Sequence, residues 1–164
     1  MSESLGTSAG LVLGLLHARG GNGADLRLMA EFPQLLHTVI DTTDVRALAE
    51  FYRELLELQY RQGDERPDAG ADDPDWLVLT DANGARVLAF QQVERLQRTT
   101  WPTDDVPMQM HLDFTVSGLQ ELQRQRIRAV ALGAQLLFDR TDDSDEPLYV
   151  FADPSGHPFC IFVA

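Results

Sequence analysis

Two histidines, His37 and His111, stand 74 residues apart, and each heads an alternating apolar run: LLHTVID in one case, MHLDFTV in the other. Imidazoles can ligate a metal, shuttle protons or hydrogen-bond a ligand oxygen, and a pair of them at equivalent places concentrates that chemistry on whatever they enclose. Each run is followed by a helical pattern, a hairpin pattern and an Asp-x-x-Gly turn, at Asp81 to Gly84 and at Asp153 to Gly156. Two units of equal plan are therefore predicted, and an internal repeat governs every later assignment of elements. Asp113 shares a strand face with His111, and Cys160 lies on the last strand of the second unit. Both can add a donor atom.

Alternation predicts a strand over residues 34–41, with His37, Val39 and Asp41 on one face. Thr43 or Asp44 can cap the helix that follows, whose stripe of Val45, Leu48, Ala49, Tyr52, Leu55 and Leu56 would face a core. Strands are expected at 58–61, 76–80 and 86–93, with an acidic loop at 63–75. The second unit repeats the order: strand 109–116, helix 119–132 stopped by Gly133, strand 135–139, acidic loop 140–146, and strands 148–152 and 158–163. The fold class is α+β, built from two βαβββ units. Repeat one covers residues 34–93, a linker 94–107 and repeat two 108–164. Residues 1–33 match nothing in the second half and read as a glycine-interrupted extension with a short helix over 24–32. The acidic loops lack the spacing of a calcium loop and read as solvated charge.

The chain has 164 residues and a formal charge of −13 from 26 acidic and 13 basic side chains. That balance disfavours nucleic acid and anionic membrane as partners. Lysine is absent, which excludes a Schiff-base lysine or a P-loop lysine. The single cysteine cannot form an intrachain disulfide, and the apolar stretch at 10–18 is too short to cross a bilayer. A cytoplasmic location is expected.

His37 with Asp44, the Phe51-Tyr52-x-x-Leu55-Leu56 helix, His111-Leu112-Asp113 and Asp153-Pro154-x-Gly156 together resemble the vicinal oxygen chelate superfamily, which includes glyoxalase I, extradiol dioxygenases, fosfomycin-resistance transferases and bleomycin-resistance proteins. The resemblance spans about residues 35–164 and is nearest to glyoxalase-like members at Leu88 to Val93 and at Gly156 to Cys160. It implies a curved sheet with helices outside and a ligand cavity inside.

In metal-dependent members four slots hold the ion, and here they align with His37, Leu88, His111 and Cys160. The usual carboxylate is missing, so a bound zinc, iron, manganese or nickel ion is the lesser expectation and a metal-free cavity the greater. His37 and His111 are the candidate catalytic residues, and His37, His111 and Cys160 the candidate metal ligands. Asp113, Phe90, Trp76 and Trp101 are the candidate ligand contacts, Trp101 from the linker by covering the cavity mouth or meeting a second subunit. As ordinary structural residues, Cys160 would be a small buried apolar group and His157 a rim residue.

The expected partners are a small-molecule ligand and a second copy of the chain. As an enzyme the protein would be a lyase or isomerase acting on an oxygenated substrate. The rival expectation is a protein that sequesters an aromatic antibiotic or metabolite without turnover.

Overall fold

The computed structural model describes residues 33–164, so the helix expected over 24–32 lies outside the described residues. Residues 35–164 form one compact unit. Its elements run β1 (Thr38–Thr42), α1 (Val45–Leu56), β2 (Gln59–Tyr60), β3 (Trp76–Thr80) and β4 (Arg86–Gln92), then β5 (Leu112–Val116), α2 (Leu119–Ala131), β6 (Gln135–Arg140), β7 (Leu148–Ala152) and β8 (Pro158–Val163). The expected βαβββ order appears twice. It gives two four-stranded mixed sheets, ordered β1-β4-β3-β2 and β5-β8-β7-β6.

In both units the first strand pairs in parallel with the last, and the other pairings are antiparallel. The first strands start later than alternation predicts. The ladders begin at Thr38 opposite Leu88 and at Leu112 opposite Phe159, although β4 and β8 each start earlier. Each histidine thus sits one position ahead of its strand.

The helix start is built as the sequence suggests. Asp44 accepts a hydrogen bond from the Ala47 amide at 2.9 Å, and the Thr42 hydroxyl accepts from the Asp44 amide at 3.1 Å. These contacts satisfy donors that a bare helix N-terminus would leave open. At the other end Glu57 takes a left-handed conformation (φ 56°), a place where glycine is the usual residue. Helix α1 buries Val45, Leu48, Ala49, Phe51, Tyr52 and Leu55.

That stripe reaches both sheets. The Tyr52 ring stacks on Phe90 of β4 at 5.8 Å and meets Phe159 of β8 at 6.4 Å, and Phe159 stacks on Phe151 at 5.1 Å. From α2, Arg128 donates to the carbonyl oxygens of Leu55 (2.8 Å) and Glu54, which α1 leaves unpaired at its C-terminus. One core therefore serves both repeats.

The first acidic loop is not simply solvated. Arg46 donates to Asp72 at 2.9 Å and to the Asp64 carbonyl at 2.9 Å, while the Asp64 carboxylate receives Arg61 and the Val78 amide, each at 2.8 Å. Two of its carboxylates, Asp64 and Asp72, are thus matched to arginines that the sequence places on α1 and just after β2.

Candidate functional site

The open face of the second sheet carries the densest group of donor atoms. His111 and Asp113 alternate along β5 and its approach, and β8 places Cys160 directly opposite Asp113. Their donor atoms lie within 4.8 Å of one another, with His111 Nε2 at 3.5 Å from Asp113 Oδ1. Burial pushes the Cys160 thiol up to about 11, and the neighbouring Asp113 carboxylate adds to the shift. The thiol is therefore protonated at neutral pH.

The matching positions of the first sheet hold none of this. Pairing in β1 and β4 sets Ala89, not Leu88, against Val39, so the counterparts of His111, Asp113 and Cys160 are His37, Val39 and Ala89. The expected alignment was one residue off. Leu88 points to the other side of the strand, into the core beneath α1. Phe90 does the same: it is fully buried and stacked on Tyr52, which removes it from any ligand surface.

His37 is not a member of the donor group. Its ring lies 6.2 Å from Trp76, and its Nδ1 is buried without a hydrogen-bond partner. The structure thus brings His111 together with Asp113 and Cys160, and sets His37 with Trp76. Trp101 packs edge-on against Phe138 of β6 at 5.2 Å, so the linker is pinned to its own chain.

A cavity of about 600 Å³ opens where the two repeats and the linker meet. Val39, Ile40, Asp41 and Gln91 come from the first repeat, Leu96 to Thr99 and Val106 to Met110 from the linker and its exit, and His111, Leu112 and Ser155 to Pro158 from the second repeat. Among the residues expected to contact ligand, His111 alone lines this cavity.

Sequence reasoning placed His157 at the rim and missed its setting. Asp153, 2% exposed, accepts the amides of Ser155, Gly156 and His157 on Oδ1. Its Oδ2 receives the Tyr52 hydroxyl at 3.0 Å and lies 2.9 Å from His157 Nδ1. Burial, reinforced by Asp153, holds the Tyr52 phenol well above its ordinary range, so it stays a donor. Gly156 completes the turn at φ +100°. A Cβ there would come within 2.6 Å of Arg98, which crosses the turn and donates to the Pro154 carbonyl at 2.7 Å. The Asp-x-x-Gly motif was the visible signal, but nothing in it announced a tyrosine arriving from α1.

A metal ion is what the superfamily resemblance raises, and the donor set fits zinc. Ligands at about 2.0–2.3 Å from a tetrahedral zinc stand roughly 3.3–3.8 Å apart; the His111 to Asp113 separation matches that span at 3.5 Å, while the three donor atoms together lie within 4.8 Å and would draw in around an ion. Nitrogen, oxygen and sulfur donors suit that ion, and three of them leave one position for a ligand.

These features coincide with a known family. The glyoxalase-like domain matches residues 37–162, and the chain belongs to that family. Among solved structures, a glyoxalase/bleomycin resistance protein/dioxygenase family enzyme from Burkholderia phytofirmans PsJN superposes with a TM-score of 0.56 at 18% identity, covering 78% of this chain and 96% of that one. The fosfomycin resistance protein FosX from Listeria monocytogenes gives 0.57 at 16% identity, with 81% and 94% covered. FosX from Mesorhizobium loti gives 0.55 at 15%, with 81% and 93% covered. At such identities the likeness is one of fold. No curated protein matches the chain in sequence. Among the described residues, no helix is long and apolar enough to cross a membrane.

Proposed function

We propose that this protein binds a small organic molecule in the cavity between its repeats. The observation that carries the reading is the cavity itself: about 600 Å³, walled by apolar residues such as Val39, Met108, Met110 and Pro158, with Asp41, Gln91, Arg98, His111 and His157 among its polar groups. A concave wall that joins apolar surface to convergent polar groups is the usual composition of a small-molecule site. The polar members suit a ligand that carries oxygen atoms.

Relatives in fold are named for glyoxalase activity and for resistance to bleomycin and fosfomycin, so the test begins there. Thermal shift and calorimetry with bleomycin, fosfomycin and a panel of aromatic and carbonyl-bearing metabolites should give saturable binding to at least one. Replacing Met110 by arginine should abolish it. Binding that survives this substitution would mean the ligand sits elsewhere.

A second reading is favoured by the His111, Asp113 and Cys160 group. On that reading these residues hold a zinc ion, which when bound would polarise a ligand oxygen as a Lewis acid. Lyase or isomerase chemistry fits such a site, and binding without turnover fits its absence. Elemental analysis of protein purified without added metal separates the two.

A further inference from the structure

We infer that His157 is a proton-transfer base of the cavity, with Asp153 as its positioning residue. The inference rests on the cavity being a ligand site, and it concerns a group separate from the His111, Asp113 and Cys160 donors. Three observations converge on it.

First, Asp153 is buried and fully engaged. Three backbone amides fix Oδ1, and Tyr52 together with His157 Nδ1 fixes Oδ2. A carboxylate held this way accepts from Nδ1–H and so selects the tautomer whose lone pair is on Nε2. Second, His157 lines the cavity and its side chain is 27% exposed. With Nδ1 committed to Asp153, Nε2 is the nitrogen left to meet a ligand.

Third, the counterpart turn lacks the arrangement. Asp81 also accepts local amides, from Asn83 and Ala85, but Ala85 stands where His157 does and, among the described residues, no tyrosine hydroxyl donates to Asp81. A turn that needed only to close a hairpin would look like the one at Asp81. The one at Asp153 carries an imidazole as well.

The step is a simple transfer. Nε2 takes a proton from a carbon beside a ligand carbonyl, the C–H electron pair passes into the enolate, and the imidazolium formed is opposed by Asp153. The same proton then returns to the original carbon, re-forming the C–H bond as the electron pair comes back from the enolate oxygen. The charged and titratable groups around the ring are Asp153 on its own turn, Tyr52 from α1, Arg98 from the linker, and Asp41 and His111 in the cavity wall.

5-Nitrobenzisoxazole tests this without knowledge of the natural ligand. A base removes its C–H proton, the N–O bond breaks, and a coloured nitrile phenolate is released. The full-length chain should accelerate this reaction about a hundredfold over free imidazole at equal concentration, the lower range for a positioned base. H157Q should lose that acceleration while keeping a cooperative melt, its midpoint lowered no further than that of Tyr52→Phe, which removes the other side-chain donor from the same oxygen. D153N should lower kcat with KM retained, because the ring is then free to take the other tautomer, and D153E should restore part of the loss. No acceleration by the wild-type chain, or acceleration that persists in H157Q, overturns the inference. Binding of the unreactive isostere 5-nitrobenzotriazole without turnover of the probe would sink the base but keep the cavity. Failure of both would remove the cavity reading too.

Discussion

The two repeats share a topology and divide the labour. Helix α1 buries six large or small apolar side chains and is capped at its start by Asp44, whereas α2 buries only Leu122 and Ala129, starts at Gly118 without a side-chain cap, and exposes Leu119, Ile127 and Val130. On the open faces the contrast reverses. The first sheet offers His37, Val39 and Ala89 where the second offers His111, Asp113 and Cys160. The first helix is the better packed and the second sheet carries the donor atoms, so equal plans do not imply equal roles.

The contrast in packing can be broken most sharply at the helices. Leu48→Ala, at a fully buried α1 position, should cost about 2–5 kcal/mol in chemical denaturation, whereas Ile127→Ala on α2 should stay within about 0.5 kcal/mol. Equal losses would mean that the repeats contribute alike.

The donor face gives the next largest effect. With its thiol at about 11, Cys160 should react with iodoacetamide at pH 8 roughly a hundredfold more slowly than in the urea-unfolded chain, whose thiol has an ordinary value near 8.5. The folded rate should climb as pH rises toward 11, because the thiolate is the nucleophile. A folded rate that levels off below pH 9 would contradict the environment described for the second sheet.

Smaller effects sharpen the link between the halves. Tyr52→Phe leaves the buried Asp153 carboxylate one donor short and should cost about 1–3 kcal/mol. Glu57→Gly relieves a left-handed backbone and should add roughly 0.5–1 kcal/mol, read as a shift in the denaturation midpoint at constant slope. A loss there would show that the Glu57 side chain does more than end the helix.

Much of this was legible from residue order. The repeat, the helix cap and the sequence of elements follow from alternation, spacing and turn chemistry, all of which are local. Pairing register is not local, and spacing alone points to Leu88 where the ladder sets Ala89. Leu88, Ala89 and Phe90 are all buried, one side under α1 and the other within the open face, so hydropathy gives β4 no alternation from which to read its faces. Phe90 was misjudged for the same reason. His157 was undervalued because its partner acid is anchored by Tyr52, 101 residues earlier in the chain.

Tyr52 is also where the symmetry of the molecule must fail. The 74-residue offset carries it onto Arg126, whose guanidinium lies over the Tyr149 ring rather than reaching a turn. A tandem made of two identical copies of either half would therefore be a poor substitute for this chain. Doubling the first would set Asp81 before the phenol but leave Ala85 where the imidazole stands, and doubling the second would leave the acid without its phenol. The two halves have become obligate complements.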